Sequence, residues 1–123
     1  MKNLLPLLAL LFATGCQKDA DVGPAAKAAD EVEVVTQGPN RDCGVAQVLA
    51  IDSAQVRQVV GRSGFAPVYL ALRLDTALWV RGPHTLLVRI RKPQPSEGVV
   101  CTARGPWYAP FIVTSARTKP GSR

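Results

Sequence analysis

Beyond residue 40 the chain alternates apolar and polar positions with a period of two, the spacing that lays one face of a β-strand on a core. Gly44, Ala46, Val48 and Ala50 fall on one side of a first strand and Val45, Gln47, Leu49 and Ile51 on the other, before Asp52 and Ser53 supply a turn. Residues 55–60 read as a second run, closed by Gly61-Arg62-Ser63-Gly64. Val68, Leu70, Leu72 and Leu74 alternate with Tyr69, Ala71, Arg73 and Asp75, which places the leucines inward and Tyr69 and Arg73 outward. Leu86, Val88 and Ile90 alternate with Leu87, Arg89 and Arg91, so Arg89 and Arg91 face out from a half-buried strand. Pro93, Pro95 and Gly98 exclude a regular ladder and predict a hairpin loop. Residues 99–103 and 111–115 complete the set on either side of a Gly105-Pro106 corner, and only residues 76–81 predict a helical turn. Short strands closed by turn residues predict an all-β domain, a small sandwich or barrel.

The start of the chain follows a different pattern. A basic opening (Met1, Lys2, Asn3) leads into ten residues, 4–13, that are almost all apolar, then Thr14, Gly15 and Cys16. A bilayer span needs roughly 20 apolar residues, so the run fits the core of a secretory signal and not a transmembrane helix. With its small residues ending directly in cysteine, the segment resembles a bacterial lipoprotein signal peptide, although Ala13 stands where the usual motif has leucine. The resemblance implies cleavage after residue 15 and lipidation of Cys16. The alternative is an ordinary secretory signal in which Cys16 is incidental. Gln17 in place of Asp directly after the cysteine favours delivery to the outer membrane, and Lys18, Asp19 and Asp21 are similar to acidic tags that export lipoproteins to the cell surface.

Charge divides the rest. Over residues 17–39 two lysines face five carboxylates, a net charge of −3, whereas from Asn40 onward twelve Lys and Arg face four acidic residues, a net charge of +8. The first of these segments is rich in Ala, Gly and Pro, has no sustained apolar periodicity before Val32, Val34 and Val35, and reads as a flexible acidic stalk. Residues 25–35 have the composition for a short helix and 31–35 for an edge strand, but neither has the apolar surface to stand alone. The expected organisation is a signal peptide over 1–15, a stalk over 16–39, a basic β-barrel domain over 40–119 and a disordered tail over 120–123.

A domain of that size is near the lower limit for a self-sufficient core, and an added staple is commonly needed. With Cys16 assigned to lipid, Cys43 and Cys101 remain as an even pair, and an exported compartment permits their oxidation. Two buried free thiols or half of a metal site are the alternatives. A single histidine and two sulfurs far apart in sequence make a poor ligand set, and no cofactor is implied.

Several features occur together in order: Cys43-Gly44 opening the first strand, a leucine-rich third strand ending Leu74-Asp75, and a short Ala77-Leu78-Trp79 segment. A Val-Arg-Ile-Arg strand at 88–91 follows, then Cys101 beyond the hairpin and Trp107, Pro110 and Ile112 in the last strand. Over residues 42–119 the chain resembles small cysteine-paired envelope lipoproteins of unassigned function. That resemblance implies a five- to six-stranded OB-like barrel and no reaction. The proline-rich residues 93–96 and the strong positive charge depart from it.

Candidate chemistry is sparse. His84 follows Gly82-Pro83 at a turn, no G-x-S-x-G exposes a serine beside it, and Asp52 and Asp75 sit at strand ends where turn formation explains them. Residues 61–64 are too short for a phosphate loop and lack its lysine. No catalytic residue is assigned, and binding is the stronger expectation. Arg73, Arg89 and Arg91, with Tyr69 on the same face, would form a cationic strip suited to phosphate, sulfate or carboxylate groups if their strands were neighbours. An anionic glycan or lipopolysaccharide is the expected partner, beside the membrane reached through the N-terminal lipid. An envelope address makes nucleic acid a poor one, and a solvated basic face is the plainer account of the same residues. Inhibition of an envelope hydrolase is the alternative role, with residues 93–98 as its protruding loop. A cationic, lysozyme-like target would be repelled by the domain's charge.

Overall fold

The computed structural model describes residues 26–102 and 105–121. The expected signal peptide, Cys16, the stalk as far as residue 25, Ala103 and the last two residues of the expected tail lie outside the described residues. Five strands among the described residues form a closed barrel: β1 (Val32–Pro39), β2 (Ala46–Ala50), β3 (Val68–Leu72), β4 (Thr85–Arg91) and β5 (Pro110–Thr118). Their order around the barrel is β1-β2-β3-β5-β4, with β4 pairing back onto β1. All pairings are antiparallel except β3 with β5, which run parallel with Leu70 opposite Pro110 and Leu72 opposite Ile112. A parallel pair needs a long crossover, and here β4 and its flanking loops supply it.

The barrel begins earlier than the composition predicts. Residues 32–39, expected to belong to the stalk, are β1, and they pair with both β2 and β4. Val32, Val34 and Thr36 alternate inward and are buried, so three inward positions suffice once two neighbours complete the face. The register with β2 shifts between Thr36 and Pro39, where Gly38 takes a φ of +88°, a conformation that favours glycine.

A second difference lies at residues 53–60. The run read as a strand is helix α1 (Ser53–Val60). Asp52 caps it, its carboxylate accepting from the amides of Ala54 (3.1 Å) and Gln55 (3.3 Å). Gly61, with a φ of +87°, ends it. Three valines favour a strand on propensity, but only Val56 is fully buried; Val60 packs partly against the same core.

The barrel interior holds Val34, Val48, Tyr69, Ala71, Leu86, Val88, Phe111 and Val113, joined by Val56 from α1 and by Trp79, whose indole N–H donates to the Leu74 carbonyl at 3.1 Å. β3 is therefore phased opposite to the expectation. Tyr69 and Ala71 face the interior, while Leu70 and Leu72 face outward and are buried with Ile112 beneath Cys43, Val45, Val99 and Tyr108. A strand covered on both faces carries no polar side to reveal its orientation. Arg73, at a φ of +66°, then breaks the alternation and returns Leu74 to the interior.

The outer cover is stapled. Cys43, in the β1–β2 loop, is bonded to Cys101, 58 residues later. Thr102 reinforces the join: its amide donates to the Asp42 carbonyl and its hydroxyl to the Asp42 carboxylate, both at 3.0 Å. Residues 99–102, expected to start a strand, instead run as irregular chain held by these contacts. Within the expected helical turn, residues Thr76–Leu78 form a 3₁₀ turn capped by Asp75, and the hairpin loop contains a second one, Pro95–Glu97.

Candidate functional site

The arginines expected to form one strip are divided and matched by carboxylates. β3 and β4 are not neighbours, because β5 lies between them. Arg73 and Arg91 nevertheless meet, at Glu97 in the second 3₁₀ turn. Arg91 donates to both Glu97 oxygens, at 2.7 and 2.6 Å, and an Arg73 nitrogen lies 3.1 Å away. The Gln94 amide also donates to Glu97 at 2.8 Å. These contacts, Arg91 foremost, bring the Glu97 carboxyl down to about 2. Arg89 turns the other way, its Nε donating to Asp30 at 2.8 Å, with Glu31 at 4.0 Å. Tyr69 is not on that face at all; it is fully buried, its ring centroid 5.9 Å from that of Phe111. The four residues do not make a shared binding face.

The other carboxylates in these pairs, Asp30, Glu31 and Glu33, come from the acidic segment that leads into and opens β1. Glu31 is buried and receives two bonds from Arg117 at 2.9 and 2.8 Å and one from the Ala28 amide at 2.9 Å. Its carboxyl is lowered to about 2, first by Arg117 and then by the Ala28 amide. Lys119 reaches Glu33 at 3.0 Å. Net charges of opposite sign in the two halves of the sequence are thus partly spent on each other inside one fold.

The remaining candidates have structural occupations. Asp52 and Asp75 cap helical turns. His84 sits beside β1, its amide donating to the Thr36 hydroxyl at 2.8 Å and its Nε2 lying 2.7 Å from the Arg81 carbonyl. Residues 93–98 form a closed turn tied to the barrel through Glu97 rather than a free projection.

Among the described residues, Lys27, Arg41, Arg57, Arg62, Arg81 and Lys92 have no ion pair. Two of them share a pocket. α1 presents Ser53 and Arg57, four residues apart and so on one face, while the loop that follows brings back Arg62, Ser63 and Ala66, and Tyr69 completes the lining. The pocket measures about 260 Å³. At the Trp79 end a more open and mainly apolar groove runs between Val35–Gly38 and Val80–Pro83. Sequence reading misses this pair because it places Arg57 in a strand and Arg62 in the turn that closes it; the N-cap at Asp52 is the signal that puts Arg57 on a helix beside the next loop.

Compared with known protein families, with curated proteins and with solved structures, the chain matches none.

Proposed function

We propose that this protein is a lipoprotein of the bacterial outer envelope, anchored through Cys16, whose barrel binds an anionic envelope ligand and carries out no reaction. The observation that carries this reading is the set of arginines left without carboxylate partners after Glu31, Glu33 and Glu97 have engaged theirs. Such cations attract phosphate-, sulfate- or carboxylate-bearing ligands over distances set by ionic strength. The Cys43–Cys101 bond supports the address, since stable disulfides belong to exported compartments. An acyl-bearing N-terminus would hold the module permanently, each buried CH₂ adding about 0.8 kcal/mol.

Two measurements test the reading. Cells fed labelled palmitate should yield labelled protein, and Cys16→Ser should abolish the label. The purified full chain, incorporated into nanodiscs, should bind lipopolysaccharide above a neutral-glycan control, with the difference declining as salt rises. Absence of label, or equal binding to both glycans, would reject it.

A further inference from the structure

The hydroxyl of Tyr69 is the one buried side-chain polar atom among the described residues that lacks a hydrogen-bond partner. The great majority of buried polar groups in folded proteins are satisfied, and one left alone bears its full desolvation penalty. Tyr69 points into the barrel from β3, lines the pocket between α1 and the following loop, and feels the charge of Arg57 there. The same pocket is lined by two arginines, Arg57 and Arg62, and two hydroxyl-bearing residues, Ser53 and Ser63. Asp52, the nearest carboxylate in sequence, is turned to the helix amides and does not line the pocket.

We propose that this pocket binds a phosphate monoester group, with Arg57 and Arg62 neutralising its charge and the Tyr69 hydroxyl donating to its innermost oxygen. The donor set decides the class of ligand. Two guanidinium forks, the phenol and two serine hydroxyls offer more donors than the two oxygens of a carboxylate can accept, and they suit the three terminal oxygens of a phosphate monoester. Size agrees, because about 260 Å³ lies just below the range of pockets for drug-sized molecules and admits a phosphate with a small attached group. The inference deepens the anionic-ligand reading above and rests on that part of it alone; the lipid anchor can fail without touching it. The phosphate can belong to a soluble monoester or to a lipid headgroup, and the two sources share this chemistry.

The test uses the full chain in detergent micelles, titrated with inorganic phosphate and followed by calorimetry and ³¹P resonance. Saturable one-site binding is expected. Tyr69→Phe should weaken it roughly tenfold, the scale of a hydrogen bond to a charged group, and Arg57→Gln with Arg62→Gln should abolish it. Arg41→Gln with Arg81→Gln should leave it unchanged. Without phosphate, Tyr69→Phe should melt at or above the parent temperature, since it removes an unpartnered hydroxyl; phosphate should then raise the melting temperature of the parent more than that of the variant. Equal phosphate affinity in Tyr69→Phe and parent, or equal losses in the two arginine pairs, would overturn the proposal. Nanodiscs with and without phosphatidic acid separate the sources: competition between the lipid and inorganic phosphate marks a headgroup site, and its absence with the titration intact marks a soluble monoester. Loss of lipopolysaccharide binding with an intact phosphate titration would reject the envelope reading and leave the pocket standing.

Discussion

Arg117, near the end of the last strand, grips Glu31, one residue ahead of the first, through two bonds of 2.9 and 2.8 Å. The pair spans 86 residues of sequence and holds the entry to β1 beside β5 across the intervening β4. Its two members differ in exposure: the Glu31 side chain is 3% exposed and that of Arg117 is 33% exposed. Deleting the arginine strands a buried carboxylate, whereas deleting the carboxylate leaves a cation that reaches water. Arg117→Gln is therefore expected to lower the unfolding free energy more than Glu31→Gln does. Urea unfolding of the two variants checks the order.

Acid should loosen the same contact. Glu31 and Glu97 both titrate at about 2 in the folded protein, against a usual 4.5. The unfolded chain takes up these protons first, so their contribution is complete above about pH 5 and is lost as pH falls toward 2. The urea midpoint should decline through that window, and Glu31→Gln should flatten the decline. A parent profile as flat as that of the variant would contradict the pairing.

Removal of the staple has a larger expected effect. Joining Cys43 to Cys101 closes a 58-residue loop, for which the chain-entropy estimate is about 4 kcal/mol. Cys43→Ser with Cys101→Ser, or reductant on the parent, should move the unfolding midpoint accordingly. Leu70, Leu72 and Ile112 should become more exposed because the segment covering them is released. An unchanged midpoint in reductant would count against the bond.

Periodicity in strands β2, β4 and β5 was legible because each shows at least one stretch in which inward and outward positions differ in polarity. It failed where side chains were covered twice or charges were partnered at long range. Leu70 and Leu72 alternate as an inner face would, yet they pack under the stapled loop, and the polar tip of Tyr69 disguises an interior residue. Glu31 and Glu33 resemble solvated stalk residues because nothing local shows that Arg117 and Lys119 will meet them. Residues 55–60 read as a strand because valine favours strands, although Asp52 just ahead of Ser53 carries the capping signal. The cationic strip required β3 and β4 to be neighbours, and strand order is set by pairings that alternation does not encode.

Helical packing of residues 53–60 makes a directional prediction of its own. Val56 is fully buried, and Val59, three positions on, is 37% exposed. Val56→Ala should cost roughly 2 kcal/mol from lost burial and the cavity left behind, and Val59→Ala less than about 0.5 kcal/mol. Thermal melts of the two variants check the order.

Affinity for polyanions should follow unmatched charge and not position on strands. Arg89→Gln with Arg91→Gln and Arg57→Gln with Arg62→Gln remove the same formal charge, but the first pair is already engaged by Asp30 and Glu97. On a heparin column the second double variant should elute at lower salt than the first. Identical elution would mean that binding senses net charge alone.

Closure of the five strands into a ring also restricts how the protein can be approached. Many interaction domains accept a visiting peptide by letting it lengthen a sheet, which requires a row of unpaired backbone groups at a border strand. Here each strand already has a neighbour on both sides. Recognition is thereby left to side chains and loops, where a ligand is selected by its charge and shape instead of by a shared ladder of amides.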